Sequence, residues 1–324
     1  MNKQLLSSLL TVLALNCPAQ DLALNMARRY GAEVKECLRI VDQNGIPVVG
    51  AKVWGGLQHG DGYGDFTPIN GMTDTNGEYV IQGKCTTRIR CDITMDGYYR
   101  SEFLLDNYGY RHTLLDGKWI PYGEKHVVIL KKIRSPCKLI AFPDSLRWCR
   151  IPVFGKWIGF DFECGEWITP YGKGRHADVL LRFASMKTSL HDYKYVLDVS
   201  FTNNPYAGAY IMESDKTSDL TTTYDADSNA TYKTTFSFVL EQIPGECRHW
   251  DFLDTDSYLV FRTRTRVDKD NNLIGAHYGN IHGPWRSGAE FMILSGGCFN
   301  PIENDVNIED GTVLRRVLKY MKSR

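Results

Sequence analysis

Apolar and polar side chains alternate with a period of two through much of the second half of this chain, and that alternation confines it to β-structure. In WIGFDFECGEW, residues 157 to 167, Ile158, Phe160, Phe162 and Cys164 fall on one side of an extended chain, and Gly159, Asp161 and Glu163 on the other. Successive strand side chains point to opposite faces, so the segment reads as a half-buried strand. YKYVLDVSFTNN repeats the pattern with Tyr193, Tyr195, Leu197, Val199 and Phe201 on one face, and TTFSFVLE does so with Phe236, Phe238 and Leu240. SYLVFRTRTRVDKDNNLIGAHYGNI predicts a hairpin, two extended arms joined around Lys269 to Asn272. Only TVLRRVLKYMKSR carries a helical stripe, made by Val313, Leu314, Val317, Leu318 and Met321. Many short strands with polar connections predict an all-β protein whose second half is an antiparallel sandwich-like domain.

The N-terminus reads as an export signal. Lys3 precedes an apolar run from Leu5 to Leu15, and Cys17-Pro18-Ala19 offers small residues for cleavage after Ala19. The run is too short to span a bilayer, which takes about 20 apolar residues. A lipid anchor on Cys17 is the less favoured rival, because Asn16 is large and polar for the position before a lipidated cysteine. The expected location is therefore secreted, periplasmic or cell-envelope, with no transmembrane segment. Lys+Arg and Asp+Glu are 38 each, so removing Lys3 with the signal leaves a net charge of −1. That balance argues against a nucleic-acid partner. Beyond Cys17 there are eight cysteines, an even number that suggests disulfides in an exported chain. If residues 85 to 91 run as one strand, six steps of about 3.3 Å place Cys85 and Cys91 about 20 Å apart, too far to bond.

In the first third, Asn44-Gly45 and Asn76-Gly77 supply the positive φ that tight turns require, with Asp74 placed to accept backbone N–H groups. Ile89, Cys91 and Ile93 share one strand face, and KHVVILKKI at 125 to 133 reads as a final strand. The segment GGLQHGDGYGDFTPING at 55 to 71 reads as a long surface loop. Asp42, Gly45, Pro47, Gly50-Ala51, Thr73-Asp74, Asn76-Gly77 and Gly97-Tyr98 together resemble the carboxypeptidase regulatory-like domain, a transthyretin-like β-sandwich. The resemblance covers residues 34 to 134 and implies a non-catalytic module beside a second domain. GKWIPYG, IGFDFECGEWITPYGKG and GAHYGNIHGP resemble parts of a group of exported bacterial two-domain β-proteins, which implies architecture and brings no activity. The expected plan is a signal peptide at 1–19, an N-terminal segment at 20–33, the regulatory-like sandwich at 34–134, the β-rich second domain at 135–312 and a helix at 313–324.

The chain has no HExxH, no GxSxG elbow, no phosphate-binding P-loop and no paired histidines at metal-ligand spacing, so no metal and no cofactor are expected. Two constellations carry candidate chemistry. Asp161, Glu163 and Glu166 lie near Trp157 and Trp167, and acids beside aromatic platforms suit sugar hydrolysis, although Asp161 and Glu163 also fit a solvated strand face. Arg262, Arg264 and Arg266 form a row on one strand face, and a four-residue hairpin loop sets Arg264 opposite His277. Such a row suits an anionic ligand, or serves as a charged edge that discourages aggregation. The favoured reading is a non-enzymatic exported protein that binds a glycan, a peptide or an envelope partner, or acts as a scaffold. The alternative is a carbohydrate hydrolase using second-domain carboxylates.

Overall fold

The computed structural model describes residues 18–59, 66–106, 108–134, 149–201, 205–251, 253–254, 256–287 and 291–309. Most of the signal segment, including Cys17, and the helix expected at 313–324 lie outside them. The protein is all-β, and the chain divides into two compact units, residues 1–130 and 131–324.

The first unit holds α1 (Pro18–Tyr30), β1 (Ala32–Asp42), β2 (Lys52–Gln58), β3 (Phe66–Met72), β4 (Glu78–Cys85), β5 (Arg88–Thr94), β6 (Ser101–Asp106), α2 (Tyr108–Arg111), β7 (Thr113–Leu115), β8 (Lys118–Ile120) and β9 (Glu124–Leu130). One sheet runs β4-β1-β8-β7, with β9 parallel to β1; the other runs β3-β2-β5-β6. Val34, Leu38 and Ile40 of β1 and Val53, Leu57, Ile89 and Ile93 of the second sheet meet in one core around fully buried Trp119.

The turns have a shared local cause. Asp42 Oδ1 accepts the N–H groups of Asn44 and Ile46 at 2.8 and 2.9 Å, and Asp74 Oδ1 accepts those of Asn76 and Glu78 at 2.9 and 2.8 Å. Gly45 and Gly77 take φ of 80° and 72°, a region open to glycine without a Cβ clash. The same device recurs in the second unit. Asp268 Oδ1 accepts from Asp270 and Asn272 at 2.9 and 2.8 Å, and Asn271 adopts the left-handed φ of 63°.

Three local expectations change. The segment at 55 to 71 belongs largely to the β2–β3 hairpin, paired from Lys52↔Met72 to Gln58↔Phe66. Its glycines hid the strand, because Gly55 packs so close to β5 that an added Cβ would sit 2.0 Å from the Arg90 carbonyl oxygen. Helix α1 was not anticipated: among its apolar side chains described from residue 21 onward, Leu24 and Ala27 alone turn inward, too narrow a stripe to read. Asp21 in its first turn, Arg28 and Arg29 in its last, and Gly31 at φ 83° still mark it as a capped helix. Finally, residues 85 to 91 are not one strand. Cys85 ends β4 and Cys91 lies in β5, in different sheets. Both thiols are free, and burial pushes each up to about 12. The disulfide expectation is not met at the six cysteines whose side chains are described: like Cys85 and Cys91, Cys37, Cys164, Cys247 and Cys298 form no disulfide. Cys85, Cys91 and Cys298 are buried, and there they act as small apolar residues.

The second unit holds β10 (Cys149–Arg150), β11 (Trp157–Asp161), β12 (Glu166–Trp167), β13 (Val179–Ser189), β14 (Asp192–Ser200), β15 (Gly208–Glu213), β16 (Thr235–Gln242), β17 (His249–Asp251), β18 (Ser257–Val267), β19 (Leu273–Ser287) and β20 (Phe291–Phe299). A five-stranded sheet, β10-β20-β19-β18-β15, and a six-stranded sheet, β12-β11-β13-β14-β16-β17, share a core of Phe160, Phe183, Leu197, Val199, Phe238, Phe261 and Phe299. Tyr258 and Val260, on the other face of β18, are covered by Ala226 and Ile308. Strand β18 is thus buried on both sides, which explains its unbroken apolar run from Tyr258 to Phe261.

Candidate ligand-binding surface

The expected arginine row does not form. Pairing between β18 and β19 shifts register between Thr263 and Arg266, and Arg264 sits in this bulge at φ 50°. Thr263, not Arg264, pairs with His277. Arg262 lies over the Tyr232 ring at 4.1 Å and donates to the Tyr206 carbonyl at 2.9 Å. Exposed Arg266 pairs with Glu303 at 2.6 Å. His277 stacks on Phe299 and lies 3.1 Å from the Asn300 carbonyl oxygen.

Arg264 turns instead towards the six-stranded sheet. It grips Asp178 through two nitrogens, at 2.8 and 3.1 Å, reaches Asp161 at 3.1 Å, pairs with Glu163 and lies 4.6 Å from the centre of the Phe299 ring. Strand β11 ends at Asp161, so the alternation expected through Cys164 breaks in a turn. Asp161 is buried rather than solvated. Its Oδ1 accepts the N–H groups of Glu163 and Cys164, and its Oδ2 those of Arg175 and His176. Burial opposes ionisation of Asp161, but those backbone donors and Arg264 outweigh it and hold the carboxyl below the usual range. Asp178 is deeper, and there burial wins over Arg264 and raises it. Asp161, Glu163 and Asp178 are thus drawn into one ion-pair cluster around Arg264.

The two tryptophans separate as well. Trp167 is buried between Phe160 and Phe183. Trp157 is 43% exposed on the outer face of the six-stranded sheet, where the Arg182 guanidinium covers its ring at 4.9 Å while binding Asp198.

A different aromatic group assembles on the opposite face. The register Ser185↔Tyr195, Tyr195↔Leu240 and Leu240↔Trp250 runs across β13, β14, β16 and β17. This row continues the face that carries Phe183, Leu197 and Phe238 in the core, but lies beyond that core. Tyr193 stacks on Tyr195 with ring centres 5.1 Å apart and planes inclined by 25°. Arg248 bridges Tyr193 and Trp250, 5.9 and 5.3 Å from the two ring centres. Tyr195 is buried beneath, Tyr193 half-buried and Trp250 43% exposed, so the group forms a step that opens to solvent. The alternation of β14 placed Tyr193 and Tyr195 together. Trp250 and Arg248 escaped notice because β17 is three residues long and offers no periodicity.

No helix among the described residues is long and apolar enough to cross a membrane. No protein-family model matches the chain, and no curated protein matches it. Among solved structures, a protein from Bacteroides uniformis ATCC 8492 described as a "putative carbohydrate binding protein" aligns over 83% of this chain and 99% of its own, at 9% identity and a TM-score of 0.18. At that score the likeness bears on neither fold nor function.

Proposed function

We propose that this chain is an exported binding protein for a glycan, and that the second unit holds the sugar on the Tyr193–Tyr195–Arg248–Trp250 step. The observation that supports this reading is the step itself: Trp250 and half-buried Tyr193, bridged by Arg248 and backed by buried Tyr195, contiguous on one sheet face. Aromatic rings present rigid, flat apolar area at little entropic cost, which suits the C–H faces of a pyranose. Arg248 adds fixed N–H donors for hydroxyl or carboxylate groups. The first unit is proposed as a regulatory-like, non-catalytic β-sandwich, on the strength of its Asp/Asn-Gly turns. Export rests on the Lys3 and Leu5 to Leu15 pattern.

Affinity electrophoresis through gels containing single polysaccharides tests the reading. At least one neutral or acidic polysaccharide should retard the wild-type chain. Trp250→Ala and Tyr193→Ala, at exposed and half-buried positions, should each weaken retardation at least about tenfold, a loss of about 1.4 kcal/mol. Unretarded wild-type protein across the panel, or variants retarded as strongly as wild type, would refute it.

A further inference from the structure

Among the described residues of the first unit, Glu36 is the most deeply placed carboxylate. It projects from β1 on the same face as Val34 and Leu38, among core side chains, yet it is wholly buried. Strand β9 runs parallel to β1 with Glu36↔Glu124 and Leu38↔His126 in register, so Glu124 and His126, two residues apart, project from that same face beside it. The ligand atoms of Glu36, Glu124 and His126 all lie within 4.8 Å of one another, and His126 Nε2 is 2.6 Å from Glu36 Oε2. The other oxygen of Glu36 accepts the Tyr108 hydroxyl. Burial is graded: Glu36 lies at the bottom, His126 is half-buried and Glu124 opens at the rim.

We infer that Glu36, Glu124 and His126 form a site for a divalent transition-metal ion of the zinc class. The chemistry of the donors supports the assignment. One imidazole nitrogen and two carboxylate oxygens suit zinc, and three protein ligands leave a coordination position facing the rim. Two carboxylates converge on a single histidine, so a dication balances two carboxylate charges where a lone imidazole, even when protonated, cannot. Ligands about 2.1 Å from a tetrahedral ion stand about 3.4 Å apart, which side-chain adjustments alone can reach from the present spacing. Supporting groups are in place. Tyr108 fixes one oxygen of Glu36, its ring stacks on His112 at 3.8 Å, and Phe103 packs against the His126 ring at 5.0 Å. Three sequence positions supply the ligands and only Glu124 and His126 are neighbours, so a search for histidine pairs passes over the site.

The test is zinc titration of the full chain by isothermal calorimetry after removal of metal by chelation. Cys164→Ser and Cys247→Ser remove the two exposed thiols among the described residues as rival ligands. One equivalent of Zn²⁺ should bind and raise the unfolding temperature. Glu124→Gln, at the exposed rim, and His126→Ala should each weaken that binding at least tenfold, and Co²⁺ in place of Zn²⁺ should give visible absorption that both variants lose. Should His126→Ala fail to fold, Glu124→Gln carries the test by itself. Absence of saturable zinc uptake by the parent chain, or uptake unchanged by Glu124→Gln, overturns the assignment.

Discussion

Replacing Arg264 with alanine is expected to destabilise the second unit by about 3–5 kcal/mol, the usual consequence of leaving a buried charge without its partner. Arg264 is 17% exposed, while its partners Asp178 and Asp161 are 0% and 1% exposed, so water cannot replace the guanidinium. The two-nitrogen grip on Asp178 also joins the bulge of β18 to the residue before β13, a link that the Thr263 hydroxyl shares by donating to the Asp178 carbonyl at 3.0 Å. Arg264→Lys should recover only part of the loss, because an ammonium cannot make the forked contact. Arg266→Ala is the control: its pair with Glu303 is solvent-exposed, and pairs of that kind contribute about 1 kcal/mol or less. Equilibrium urea unfolding would measure these differences, with hydrogen exchange at β13 and β18 amides assigning the transition to the second unit. A loss below about 1 kcal/mol for Arg264→Ala would mean that the ion pairs do not hold the sheets together.

Trp119→Ala is expected to cost the first unit a comparable amount, about 3–5 kcal/mol, as large buried aromatics do. Trp119 is fully buried in the core shared by both sheets of that unit, and its Nε1 donates to the Cys85 carbonyl at 2.8 Å. The two contributions separate with Trp119→Phe. That change keeps most of the apolar volume but leaves the buried carbonyl without this donor, for a loss of about 1–3 kcal/mol. Urea unfolding monitored at β1 and β4 amides would measure both. Equal losses for the two variants would show that the hydrogen bond, rather than ring volume, dominates at this position.

What the sequence made legible was local. The Asp-x-Asn-Gly turns at 42 and 74 could be read because side chain, carbonyl and φ are all fixed within five residues. The strand carrying Tyr193 to Phe201 was equally readable, since burial imposes its own period on the chain. Features set by a distant partner were hidden. The glycines of β2 look like a loop until Arg90 of β5 is placed against Gly55. Arg262, Arg264 and Arg266 look like a row because alternation cannot reveal a bulge, and the bulge sends each to a different partner. Asp161 looks solvated because the backbone donors at Arg175 and His176 arrive only when the chain turns back. Trp250 and Glu36 were missed for the same reason, with their neighbours supplied by other strands.

The central proposal, that a glycan occupies the step at Trp250, has an internal control in the protein. Trp157 and Trp250 are each 43% exposed, on opposite faces of the same six-stranded sheet. Limited N-bromosuccinimide oxidation, mapped by mass spectrometry with and without the retarding polysaccharide, reads the two faces in one sample. The expected result is oxidation of Trp250 slowed at least about tenfold by bound glycan while Trp157 reacts at its unliganded rate. Protection of Trp157 instead, or of neither residue at saturating polysaccharide, would contradict the placement of the sugar on this face.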